Sequence, residues 1–113
     1  MSAPCLFCRI VRGEIPATIV RQDDHCLAFR DINPQAPVHV LVIPRMHVES
    51  MDALTDSDIG ARVLAMAAEV ARQEGIAASG YRTVFNTNGD GGQTVFHLHA
   101  HVLGGRSLAW PPG

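Results

Sequence analysis

Six histidines are spread over 113 residues, and three of them fall within five positions: His97, His99 and His101, separated by Leu98 and Ala100. On a β-strand alternate residues share a face and stand roughly 6.6 Å apart. A strand here aims the three imidazoles one way and Leu98, Ala100 and Val102 toward a core. Such a face has three readings: the solvent side of an edge strand, a shared metal, or a reaction centre. Exposed strand faces usually carry Thr, Lys, Arg and Glu, which weighs against the first. The residues just upstream favour the last. Gly91-Gly92-Gln93-Thr94 places bare backbone N–H groups and a hydroxyl beside the imidazoles, and amides flanked by small residues make a concave anion cradle suited to phosphate. An imidazole next to that cradle is a nucleophile toward phosphorus.

A second group of candidate ligands lies near the N-terminus. Cys5-Leu6-Phe7-Cys8 has the spacing that puts two sulfurs on one cation. Tetrahedral zinc needs two more ligands, and His47 and His97 are candidates. A redox dithiol or idle thiols are the alternatives. Cys26 reads as a small core residue.

The elements that must position these groups follow from pattern. Ile19, Val20, Cys26, Leu27 and Phe29 suggest two short strands around a turn at Asp23-Asp24. Asn33-Pro34-Gln35-Ala36-Pro37 is a loop, since each proline pushes its predecessor out of helical geometry. Val38–Ile43 is β-branched and apolar throughout, as a central strand requires. Ile59, Val63, Met66, Ala67 and Val70 form one apolar helical face, with Thr55 or Ser57 as cap, Asp56 and Asp58 at the positive end of the dipole, and Gly75 as the stop. The helix's polar face (Arg62, Glu69, Arg72, Gln73) reads as solvated. Tyr81–Asn86 is a further strand, Asn88–Gln93 an irregular glycine-rich turn, and Val95–Leu103 the histidine strand. The result is an α+β layer: an antiparallel sheet of about five strands with one main helix, in a single domain spanning residues 1–113.

Composition excludes several classes. The chain is 47% hydrophobic and 18% charged with a formal net charge of −2, so no basic stripe suits nucleic acid. All nine basic residues are arginine, which removes a P-loop lysine and a Schiff-base lysine together. No apolar run reaches the ~18–20 residues of a membrane span, and Met1-Ser2-Ala3-Pro4 carries no apolar targeting core. Three cysteines do not make a secreted disulfide framework, which indicates a reducing, cytoplasmic setting.

His97-Leu98-His99-Ala100-His101-Val102-Leu103 resembles the signature of the histidine triad (HIT) nucleotide-binding superfamily. Phe7-Cys8-Arg9-Ile10, Gly13-Glu14-Ile15-Pro16, Leu27-Ala28-Phe29, Asp31-Ile32, Val42-Ile43-Pro44, Gly91-Gly92-Gln93-Thr94-Val95 and Leu103-Gly104-Gly105-Arg106 are similar to that family in the same order. The tail Trp110-Pro111-Pro112-Gly113 is similar to its Hint branch of purine nucleoside phosphoramidases. Thr94 stands where that branch more often has Ser.

The resemblance implies a HIT-like fold and a homodimer. It implies His99 as nucleophile on the α-phosphorus of an adenylate-type substrate, giving a nucleotidyl-histidine that water resolves. His101 would contact phosphate and help protonate the leaving amine, and His39 would belong to the proton relay. Asn86, Gln93, Thr94 and Val95 would surround the phosphate, and Asp31 would take the ribose hydroxyls. Leu6, Phe7, Ile10, Phe29 and Ile32 would line the base pocket, and Trp110 would reach the partner's pocket. Zinc carried by Cys5, Cys8, His47 and His97 would be structural. Plainer readings stand beside two of these: Asn86 as a turn cap and Asp31 as an Asx-turn residue. Cleavage of dinucleoside polyphosphates by the same nucleophile, or nucleotide binding with incidental catalysis, are the rival functions.

Overall fold

The computed structural model describes residues 5–113; Met1–Pro4, on which the expectation about a targeting core rests, lie outside them. Helix α1 (Leu6–Val11) is followed by strands β1 (Ile19–Gln22), β2 (Cys26–Arg30) and β3 (Val38–Pro44). After a 3-10 turn at Met51–Ala53 come α2 (Ser57–Gln73), β4 (Tyr81–Val84), the single turn α3 (Asn88–Gly91) and β5 (Ala100–Gly104). The five strands form one sheet in the order β1-β2-β3-β5-β4, and every neighbouring pair is antiparallel.

Strand β3 sits in the middle because both of its faces are covered. Val40 and Val42 pack with Ala28, Ala100 and Val102 against Val63, Met66, Ala67 and Val70 of α2. Leu41 and Ile43 pack on the opposite face with Leu27, Phe29, Phe7 and Ile10. A strand buried on both faces reads as an unbroken apolar run, and each such side chain contributes roughly 1.5–3 kcal/mol by leaving water. Asp56 caps α2 by accepting from the Asp58 N–H, displacing the neighbouring Thr55 and Ser57 expected there. Gly75, with φ +76°, lets the chain leave.

Three local features differ from expectation. Helix α1 was not foreseen. It is only six residues long, and its cap is the Cys5 sulfur accepting from the Cys8 N–H, a cap that residue preferences do not flag. The 88–91 stretch closes a helical turn in spite of its glycines, ending at Gly92 with φ +83°. The histidine strand is shorter than Val95–Leu103: the ladder with β3 starts at Ala100 opposite Val42. The Pro44 carbonyl is taken by His97 Nε2–H, and Leu98 N–H donates instead to the Val48 carbonyl.

The polar face of α2 also does more than meet solvent. Glu69 pairs with Arg21 at 2.6 Å, and Gln73 donates to the Val20 carbonyl at 2.7 Å, tying the helix to the edge strand β1.

Candidate active site and metal centre

Four of the expected ligands converge. Cys5 at the start of α1, Cys8 one turn later, His47 just past β3 and His97 ahead of β5 bring their sulfur and nitrogen atoms within 4.8 Å of one another. Cys5 Sγ lies 3.3 Å and Cys8 Sγ 3.5 Å from His97 Nδ1. His47 Nδ1 is 3.3 Å from both Cys8 Sγ and His97 Nδ1. Tetrahedral zinc with bonds of about 2.0–2.3 Å needs donors ~3.3–3.7 Å apart, so the set fits the ion. The outer contact fits too: His97 Nε2–H donates to the Pro44 carbonyl at 2.8 Å, leaving Nδ1 with its lone pair toward the sulfurs. His97 thereby parts from the other two triad histidines in task while sharing their segment.

The remaining histidines form a chain of fixed tautomers. The Gln35 backbone N–H donates to His39 Nδ1 at 3.0 Å. His39 Nε2 must therefore carry the hydrogen, which it donates to His101 Nδ1 at 2.9 Å. That leaves the hydrogen of His101 on Nε2, a buried atom with no partner among the described residues. His99 runs the other way: its Nδ1–H donates to the His97 carbonyl at 2.6 Å, so Nε2 keeps a free lone pair. The two rings stand 5.0 Å apart. One offers a lone pair and the other an N–H.

Burial keeps these rings neutral. His101 is pushed down to about 4, by burial first and then by His99 and His39 beside it, against a weaker pull from Asp31. Burial also lowers His39 and His99, partly opposed by Asp31 in both cases and by the His97 carbonyl for His99.

His99 and His101 line a cavity of about 670 Å³, walled by Leu6, Phe7, Ile10, Phe29, Leu41 and Ile32 and reaching Asp31, Thr94 and Val95. That is within the range of small-ligand pockets, roughly 300–1,000 Å³. Phe7 meets His99 edge-on at 5.1 Å and Phe29 at 5.4 Å, so α1 is both a wall of the cavity and the carrier of two cluster sulfurs. Asp31 forms the expected Asx turn and also reaches the relay. Oδ1 closes an Asx turn by accepting from Asn33 N–H at 2.8 Å, while Oδ2 lies 3.4 Å from His39 Nε2.

The glycine-rich cradle is narrower than the sequence suggests. Gly92 and Gln93 N–H groups are spent on the Gly89 and Asn88 carbonyls. Gln93 uses its side chain as a brace, accepting from Asn88 N–H and donating to the Glu49 and Val95 carbonyls, so none of it faces the cavity. Thr94 and Val95 remain at the wall. Asn86, half-buried beyond β4, has its backbone against Gly91 and is not among the residues lining the cavity. Trp110 is exposed, with Arg82 over its ring at 6.0 Å. Leu41 and the Gln35 amide were not anticipated. Leu41 looked like any core residue of β3, and a backbone N–H leaves no mark in residue type.

Comparison with known proteins accords with this geometry. The HIT domain model matches residues 12–108. An uncharacterised HIT-like protein of Synechococcus elongatus is 55% identical over 116 residues, covering all of both chains. The purine nucleoside phosphoramidase of Escherichia coli is 48% identical over 111 residues, covering 96% of this chain and 92% of that one. Among solved structures, a HIT family hydrolase from Legionella pneumophila superposes with a TM-score of 0.94 at 52% identity, covering 97% of this chain and 100% of the other. A histidine triad protein from Clostridium difficile gives 0.90 at 42%, covering 96% and 97%.

Proposed function

The chain belongs to the HIT domain family, and on that premise we propose that it is a nucleotide-binding hydrolase of nucleoside 5′-phosphoramidates and aminoacyl-adenylate-like substrates. The observation that carries this reading is the pair of complementary tautomers: a lone pair on His99 Nε2 and an unpartnered N–H on His101 Nε2, in the wall of one cavity. The 48%-identical purine nucleoside phosphoramidase supports the same substrate class.

In this mechanism the base lies among Leu6, Phe7, Ile10, Phe29 and Ile32, the ribose hydroxyls meet Asp31, and the phosphate sits by the Thr94 hydroxyl and Val95. Gln93 holds the loop that presents Thr94. His99 Nε2 bonds to the α-phosphorus as the P–N bond breaks. An amine leaves only with a proton; His101 Nε2–H hydrogen-bonds the departing nitrogen, and solvent at the open mouth of the cavity supplies the proton that the amine carries away. Water then attacks the adduct's phosphorus, His99 leaves, and the nucleoside monophosphate departs. His39 fixes His101 in the donating tautomer.

Cys5, Cys8, His47 and His97 would hold Zn²⁺, which would supply a structural anchor for α1 with no part in the reaction. The working unit is a homodimer in which α2 and Tyr81–Asn86 meet their mates and Trp110 reaches the partner's cavity. A cytoplasmic setting fits free thiols at Cys5 and Cys8, and no described helix is long and apolar enough to cross a membrane.

The test is a substrate panel on the purified protein: adenosine phosphoramidate, an aminoacyl-adenylate analogue and a dinucleoside polyphosphate, with trapping of the nucleotidyl adduct on His99. Amine release with a trapped adduct supports the reading. Faster dinucleotide cleavage, or AMP binding with no turnover of any substrate, overturns it.

A further inference from the structure

The Asn33–Pro37 loop has a feature that the substrate pocket does not require. Its Gln35 N–H reaches inward to His39 Nδ1 at 3.0 Å, while the Gln35 carbonyl faces outward and accepts from Arg106 Nη2 at 2.9 Å. Arg106 Nη1 donates at the same time to the Ser107 carbonyl at 3.0 Å, which pins the guanidinium. The loop is further pressed onto the turn after β5: a Cβ on Gly105, whose φ is +89°, would come within 2.9 Å of Pro37 Cβ. Gln35 Nε2 completes the arrangement by donating to the Asn33 carbonyl at 2.9 Å.

We propose that Arg106 is a positioning residue: by holding the Gln35 peptide it fixes which nitrogen of His101 presents a hydrogen to the substrate. The chain of donors admits two states. With Gln35 N–H on His39 Nδ1, His39 donates from Nε2 and His101 is left with N–H at Nε2. Without that amide, His39 is free to carry its hydrogen on Nδ1. His39 Nε2 then accepts, His101 donates from Nδ1, and a lone pair replaces the N–H on His101 Nε2. A lone pair there offers nothing to a departing amine. Arg106 lies on the surface and touches neither the rings nor the cavity, so its influence passes through one peptide.

This inference rests on the proposed function for its kinetic arm only. Arg106→Met keeps the aliphatic stem and removes the donors; Arg106→Lys restores one. The first readout is tautomer state, from side-chain ¹⁵N–¹H correlation spectra of histidine-labelled protein. The native chain should show His39 with an unprotonated Nδ1 and His101 with a protonated Nε2, and Arg106→Met should show averaged or exchanged signals at both. The second readout contrasts an alkylamine phosphoramidate of AMP with an aryl ester of AMP whose phenolate leaves unprotonated. Arg106→Met should lower kcat roughly fivefold on the amine and leave the ester unchanged, with Arg106→Lys near native. Native tautomers in Arg106→Met, or equal losses on both substrates, would overturn the assignment. A native chain that cleaves neither substrate refutes the proposed function instead, and the spectra still decide the Arg106 link.

Discussion

The carbonyl oxygen of His97 accepts the Nδ1–H of His99 at 2.6 Å. One residue thus serves two sites: its ring joins the sulfur cluster and its backbone sets the tautomer of His99, the proposed nucleophile.

Replacing the nucleophile should abolish the covalent step while sparing the pocket. His99→Ala is expected to lose about a thousandfold or more in kcat, with AMP affinity within a few-fold of native because the apolar walls and Asp31 are untouched. Single-turnover kinetics with adduct trapping checks this. Turnover near the native rate would remove His99 from its role.

The sulfur cluster should behave as a stabilising metal site. Protein purified without added metal is expected to hold one zinc per chain. Chelation or Cys8→Ala should lower Tm by about 5–10 °C, since binding energy at such a site is folding energy. Elemental analysis and thermal melts decide it, and a metal-free protein with an unchanged melt would exclude the site.

Acid should weaken the fold through the relay. The pKa of His101 is about 4 in the folded chain and about 6.5 when unfolded, so between those pH values the unfolded chain takes up a proton that the folded one refuses. Stability is therefore whole above pH ~6.5, falls as pH drops toward 4, and loses no more on this account below that. The loss is on the order of 2 kcal/mol once solvent at the cavity mouth is allowed for. His39, also lowered by burial, acts in the same direction. Tm measured from pH 7 to pH 4.5 should fall more steeply for the native protein than for His101→Gln, and parallel curves would contradict the account.

The last residue of β5 and the turn after it should tolerate no side chain. A Cβ on Gly104 would lie 2.7 Å from Ile76 Cδ1, and one on Gly105 2.9 Å from Pro37 Cβ. Gly104→Ala is expected to cost about 1–3 kcal/mol by overpacking. Gly105→Ala should cost at least as much, because φ +89° adds backbone strain. Denaturant titration measures both, and a change within a few tenths of a kcal/mol would refute the packing argument.

Much of this molecule was legible in its residues, for reasons that are local. The alternation around His97–His101, the unbroken apolar run of β3 and the spacing of the α2 face follow from the two-residue and 3.6-residue repeats that the backbone imposes. What those periods missed were contacts made by atoms common to every residue. The Gln35 N–H on His39, the Pro44 carbonyl on His97 and the His97 carbonyl on His99 set the tautomers of those three rings, yet no residue type announces them. Helix α1 was hidden for a related reason, its cap being a cysteine sulfur.

By itself, then, the sequence determined which side chains could do chemistry and which faces had to be buried, because type and period are properties of the chain. Folding alone decided the division of labour among the histidines. Cys5 and His97 are 92 positions apart yet 3.3 Å apart in space, and only that closure turns His97 to the sulfurs and leaves His99 and His101 facing the cavity. Separations of that kind are fixed by packing energies summed over the whole core, which no short stretch of sequence contains.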